Sequence, residues 1–178
     1  MLFSSSLYAP RYHTISLLDA AKDGSLQEVW WALDRGEDVN ETRRRGGSSP
    51  LMRASYQGHI GVVRLLLNVP DVDVDADSSC GHTALIHAVN NQNIETVRLL
   101  LVLGKAHVNQ TGLYLSTALH YVACTRCTEI ARMLLASPGI NVHSPDQGRQ
   151  TALDIAVDHG QWEIVMLIAE FCLSRRGL

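Results

Sequence analysis

The phrases Ser49-Pro50-Leu51, Thr83-Ala84-Leu85, Thr117-Ala118-Leu119 and Thr151-Ala152-Leu153 start at 49, 83, 117 and 151, a constant step of 34 residues. A strict period of this length means stacked supersecondary units, not one globular core. One step back from Leu51 reaches Leu17, within Ser16-Leu17-Leu18-Asp19-Ala20-Ala21, so five units account for almost all of the 178 residues.

Each unit has the same internal order. A short apolar helix follows the Thr, as with Ala84, Leu85, Ala88 and Val89. A polar turn comes next, such as Gly58-His59 or Gly160-Gln161. A second helix carries Val63, Leu66 and Leu67, or Val97, Leu100 and Leu101, or Ile130, Leu134 and Leu135. Apolar residues at three- and four-residue intervals make one face of a helix. The unit closes on Val39-Asn40, Val74-Asp75, Val108-Asn109 or Val142-His143. Alternation there predicts an extended arm turning back to the next Thr, with Val72 and Val74 on one side and Asp71, Asp73, Asp75 and Asp77 on the other.

These recurring elements, in register over residues 15–173, resemble the ankyrin-repeat family, with its Gly-x-Thr-Pro-Leu-His opening, central Gly-His and closing Gly-Ala-Asp-Val-Asn. Ala replaces Pro in three of the four clear openings, and Asn68-Val69-Pro70-Asp71-Val72-Asp73 lacks the Gly-Ala pair. The resemblance implies an all-α repeat solenoid of helix-turn-helix repeats with β-hairpin or loop arms and a concave inner surface. The expected organisation is an N-terminal extension (1–14), repeats at about 15–48, 49–82, 83–116, 117–150 and 151–173, and a C-terminal tail (174–178). Elementary physics agrees: one unit cannot bury both faces of its helix pair, so stability is a sum of units and interfaces. The opening Thr can cap the first helix. His120 matches the family's opening His, which typically bridges neighbouring backbones.

Composition narrows the function. A 46% hydrophobic and 19% charged chain is a folded one. Its net charge of −3 and pI of about 6.2 lack the basic surplus of a nucleic-acid binder. Apolar runs such as Ile164 to Ala169 fall short of the ~20 residues of a membrane span. Met1 to Pro10 makes a poor secretory signal. Cys80, Cys124, Cys127 and Cys172 read as free thiols in the cytoplasm or the nucleus.

Gly-x-x-x-x-Gly-Lys-[Ser/Thr], Gly-x-Ser-x-Gly and His-Glu-x-x-His are absent from the sequence, so no enzyme and no cofactor are expected. Cys124-x-x-Cys127 with His120 could suggest zinc, but there is no second Cys-x-x-Cys and the repeat register explains each position. Asp71-x-Asp73-x-Asp75-x-Asp77 starts like a calcium loop, but Ala76 and His82 stand where Gly and an acid are needed. No metal is expected. Arg43-Arg44-Arg45 and the Asp71–Asp77 run lie on neighbouring arms. They either pair at the surface, worth about 0–1 kcal/mol each, or steer a partner of mixed charge.

Function then falls to the surface. In this family partners mostly dock on arm tips and on the inner face of the first helices. By position that assigns the tips Arg45, Ser79, Tyr114 and Gln147, and His82 and Ser116 (with Gln150) just before the Thr. It also assigns the helix ends Tyr56 and Gln57, Asn90 and Asn91, Cys124 and Thr125, and Asp158 and His159. Tyr56 and Tyr114 are the expected anchors. The expected function is non-catalytic binding of a protein partner, with no nucleic acid and no membrane.

The ends suggest an alternative, a structural or regulatory segment of a larger assembly. Trp30 and Trp31 cannot both face the core, so Leu2, Phe3, Leu7, Tyr8 and Tyr12 are expected against one of them. Ile164 to Leu173 is apolar on nearly every side, where a terminal repeat should be polar outside. Self-association or another chain is expected there.

Overall fold

The computed structural model describes residues 15–43 and 47–176. Its helices come in pairs: α1 (Leu17–Asp23) and α2 (Leu26–Asp34), α3 (Pro50–Gln57) and α4 (Ile60–Leu67), α5 (Ala84–Asn90) and α6 (Ile94–Val102), α7 (Ala118–Cys124) and α8 (Thr128–Leu135), α9 (Ala152–Asp158) and α10 (Trp162–Arg176). The first helices stack α1 to α3 to α5 to α7 to α9 as one layer. The second helices stack α2 to α4 to α6 to α8 to α10 as the other. This is the all-helical repeat solenoid that the period predicts.

The first helices begin alike because the residue before each is Ser or Thr. The hydroxyl of Ser16 accepts from the Asp19 N–H at 3.2 Å, that of Thr83 from Ile86 at 3.2 Å and that of Thr151 from Asp154 at 3.3 Å. Such a cap contributes about 1 kcal/mol. The Asp154 carboxylate accepts in return from the Thr151 hydroxyl and N–H, which lowers its pKa. The core repeats with the same step. Leu17, Leu51, Leu85 and Leu119 are buried, each worth about 1.5–3 kcal/mol. Leu153 is half-buried, because α9 has a first-layer neighbour on one side among the described residues.

Polar bonds stitch neighbouring units. His59 Nε2 meets the Lys22 carbonyl at 2.9 Å. One unit on, Asn93 Nδ2 donates to the Ser55 and Tyr56 carbonyls at 2.9 and 3.0 Å. These close approaches need glycine below them: a Cβ on Gly24 would lie 2.6 Å from the His59 ring, and one on Gly58 2.7 Å from Asn93 Oδ1. In the third unit that glycine is Gln92, at φ 56°, and the residue facing it in register is Cys127, which makes no such bond among the described residues. At this junction α5 and α7 also pack least extensively of the first helices. His120 bridges the next one. Its Nδ1 accepts from the Thr117 N–H at 3.0 Å, so Nε2 carries the proton and donates to the Gln150 carbonyl at 3.2 Å. The family's opening His therefore plays the bridging part expected of it.

The closing Val-Asn signature has a second use. Asn40 donates to the Asp71 carbonyl and accepts from the Asp73 N–H, both at 2.8 Å. Asn109 does the same with the Gly139 carbonyl and the Asn141 N–H, again at 2.8 Å. Asp75, between them, only accepts, from the His107 N–H at 2.8 Å.

The arms are turns rather than paired strands. Among the described residues the one β-bridge joins Thr111 and Thr117. The three described tips are five-residue turns, spanned by the bonds Ser78 N–H to His82 C=O, Gly112 to Ser116 and Asp146 to Gln150 and tightened inside by Gly81 N–H to Ser78 C=O, Leu115 to Gly112 and Arg149 to Asp146. The alternation reads out correctly even so: Val72, Val74 and Ala76 pack against the core while Asp71, Asp73 and Asp77 are exposed. The expected pairing of the arginine and aspartate runs is not what Arg43 does. It pairs with Asp19 of α1, which lies closer than the next arm. Arg44 and Arg45 lie outside the described residues.

Trp30 is exposed and Trp31 half-buried; the residues expected to cover one of them, 1–14, lie outside the described part. In α10, Ile164 and Ile168 are buried, and Trp162, Met166 and Leu173 remain exposed on its other side. Among the described residues no helix is long and apolar enough to cross a membrane.

Candidate functional site

The step of 34 residues generates a row of side chains. Lys22, Tyr56, Asn90, Cys124 and Asp158 end successive first helices, and all five are exposed. Two residues earlier, Ala20, Ala54, Ala88, Val122 and Ala156 are all fully buried. The hidden position stays small and apolar to let the helices stack. The visible one passes from cation to phenol, amide, thiol and carboxylate, free of any packing requirement.

Rings cross the middle of this face. Tyr56 stands edge-on to His87, with centroids 5.7 Å apart. His87 stands edge-on to His82 at 5.3 Å, and His82 to Tyr121 at 5.4 Å. His82 Nε2 and the Tyr121 hydroxyl are hydrogen-bonded at 2.8 Å, joining the arm that ends the second unit to the fourth unit. Burial pushes the His87 pKa down to about 4, with help from neighbouring His82. Its Nε2 is buried with no hydrogen-bond partner. Burial also lowers the pKa of His82, so both rings are neutral at pH 7. The Tyr121 hydroxyl and the Cys124 thiol are shifted up, chiefly by burial, which makes Cys124 a poor nucleophile. Among the described residues no group of three or more His, Cys, Asp or Glu could hold a metal.

The remaining expected site residues divide by what they already hold. Gln57, Ser79 and Asn90 are exposed. Asn91 donates to the His87 carbonyl at 2.9 Å and Thr125 to the Val122 carbonyl at 3.3 Å, so both finish helices. His159 Nδ1 likewise meets the Ile155 carbonyl at 2.9 Å. Asp158 accepts from Gln150 Nε2 at 2.7 Å. The Ser116 carbonyl closes its arm tip by accepting from the Gly112 N–H at 2.8 Å. Gln147 donates its N–H to the Tyr114 carbonyl at 2.7 Å, locking two arm tips together. Arg45 lies outside the described residues.

The third arm tip differs from the others. Leu113, Tyr114 and Leu115 are all exposed, Tyr114 at 64%. Tyr114 and Leu115 have φ of 59° and 60°, a conformation that side-chain-bearing residues hold at a cost. The equivalent of Leu115 in the second arm is Gly81.

A cleft of about 340 Å³ opens at one end of the row, lined by Lys22, Ser48, Met52, Arg53, Tyr56, Gln57 and His87. The sequence reading assigned Tyr56 and Gln57 but missed Lys22, Arg53 and His87. Lys22 was recoverable, since it lies one step of 34 before Tyr56.

A family model described as ankyrin repeats (3 copies) matches residues 17–112 and 102–172. The chain belongs to the ankyrin-repeat family. Ankyrin repeats generally mediate protein–protein interaction. Similar proteins include the probable E3 ubiquitin-protein ligase XBOS33 of Oryza sativa subsp. japonica, 37% identical over 123 residues (67% of this chain, 23% of that protein). The E3 ubiquitin-protein ligase XBAT33 of Arabidopsis thaliana is 34% identical over 142 residues (76% and 27%). The putative ankyrin repeat protein FPV031 of Fowlpox virus (strain NVSL) is 32% identical over 157 residues (85% and 46%). This ankyrin-repeat chain spans less than half the length of each.

Proposed function

We propose that this ankyrin-repeat chain is a non-catalytic module that binds a protein partner through its arm tips and the face of its first helices. The carrying observation is the exposed row Lys22, Tyr56, Asn90, Cys124 and Asp158 above a buried row of small apolar residues. Such a surface is preformed, so binding orders little chain and costs little entropy. Tyr56 and Tyr114 are its large amphipathic side chains, suited to anchor a contact. The cytoplasm is the compartment that suits four free cysteines.

The test is capture of a partner by the full chain, followed by its identification and direct titration. Tyr56→Ala and Tyr114→Ala should each weaken the titrated affinity about tenfold or more, as anchor residues do, with little change in melting temperature. Unchanged affinity in both variants overturns the assignment of this face. A second reading, a segment covered by another chain at α10, is favoured by exposed Trp162, Met166 and Leu173. A monomeric mass by light scattering, together with a partner footprint that avoids α10, removes it.

A further inference from the structure

We propose that the cleft between the first helices of the first two units receives a carboxylate side chain from an acidic, partly apolar peptide segment of a partner protein. The inference rests on the protein-binding reading and names the chemistry of what is bound.

Charge carries the argument. Lys22 in the last turn of α1 and Arg53 in α3 both line the cleft. Among the described residues neither Lys22 nor Arg53 pairs with a carboxylate, as is also true of Arg64, Lys105, Arg126, Arg132, Arg149 and Arg175; what sets these two apart is that they flank one cleft. The acids of α1 do not supply the missing charge. Asp19 is engaged by Arg43 and by the Ser16 hydroxyl. Asp23 follows Lys22 directly, and adjacent helical residues do not face each other. Residues 1–14 contain no Asp or Glu.

The rest of the cleft suits a peptide more than a free ion. Arg53 Nε donates to the Ser48 carbonyl at 3.4 Å, which orients the guanidinium and leaves its terminal nitrogens for a two-point contact with a carboxylate. Met52 lies beneath the wall, almost wholly buried, and supports it from behind. Tyr56 and neutral His87 add aromatic surface. The cleft therefore offers two cations beside an apolar wall, which matches an acidic residue with apolar neighbours.

The probe is a blocked synthetic peptide with one central glutamate between leucine and phenylalanine, and its twin with glutamine in place of glutamate. Binding to the full chain is followed by amide chemical shifts. The expected result is saturable shifts confined to the surroundings of Lys22, Met52, Arg53, Tyr56 and His87. The glutamine peptide should bind several-fold more weakly. Lys22→Gln and Arg53→Gln should each cost about fivefold, as partly exposed ion pairs do, and Arg53→Lys should recover part of the loss. Equal binding of the two peptides, shifts elsewhere, or no shifts overturn the proposal. If the peptides fail while Tyr56→Ala and Tyr114→Ala still weaken partner binding, the carboxylate assignment is wrong and the binding module stands. If both fail, the protein-binding reading falls as well.

Discussion

His87 gives the inner layer a pH dependence that can be worked out from its surroundings. The ring lies between Tyr56 and His82, its Nε2 is buried without a partner, and its pKa is pushed down to about 4 from 6.5. The unfolded chain therefore takes up the proton more readily than the folded one. Stability from this site is complete above about pH 6.5, falls as the pH drops towards 4, and levels off below. At 1.36 kcal/mol per pKa unit the loss is about 2 kcal/mol by pH 5 and about 3 kcal/mol by pH 4. His87→Phe keeps a ring against both neighbours and removes the unpartnered nitrogen. At pH 7.5 it should stabilise by about 1 kcal/mol, since a buried unsatisfied polar atom costs ~1–3 kcal/mol. The decisive quantity is the gap between variant and wild type, measured by urea unfolding at pH 7.5, 6.5, 5 and 4. His82 is in contact with His87 and coupled to it, so the same comparison is repeated on a His82→Gln background. The gap should widen by about 2–3 kcal/mol towards low pH. A constant gap would show that His87 titrates normally and that this reasoning is wrong.

Three further predictions concern the stitching between units. Asp75→Asn should add a donor towards the next loop, as Asn40 and Asn109 have, and stabilise by about 0.5–1 kcal/mol in thermal unfolding; destabilisation would refute the equivalence. Gly58→Ala should cost about 1–2 kcal/mol, because its φ is +76° and the new Cβ meets Asn93 at 2.7 Å; adding Asn93→Ala should restore less than half, and a fully additive pair in denaturant titrations would contradict the contact. Replacing Tyr114-Leu115 by Asn-Gly should raise the melting temperature by relieving two left-handed residues, about 1–2 kcal/mol together, while weakening partner binding; an unchanged melting temperature would mean the tip is unstrained.

Much of this was legible in the chain itself, because a constant step makes each residue a statement about its equivalents. Leu17 to Leu119 and the Ser and Thr caps followed from register, and the His120 bridge from the resemblance to the family. What escaped was what register does not encode. Arg43 finds Asp19 across the fold, and no local pattern marks that pair. The side-chain stitches of Asn40 and Asn109 were visible only as a spelling, Val-Asn. The arms alternate correctly but form turns, since each described tip closes within five residues and gains no long partner strand. The cleft was half seen: Tyr56 and Gln57 were assigned, while Arg53 and His87 looked like ordinary helix residues.

The missing stitch at Cys127 makes the array mechanically uneven. Three units lie on one side of it and two on the other; the arms carry the join there, through Asn109 to the Gly139 carbonyl and Asn141 N–H and through the Gln147 N–H to the Tyr114 carbonyl, beside the His82–Tyr121 bond and the Arg98–Glu129 pair, while the first-layer contact is the slimmest. Under load the helix layer is therefore the part that can open there, while the arms still hold the two sides together. Such an opening is a hinge between the block carrying Lys22, Tyr56 and Tyr114 and the block ending in α10.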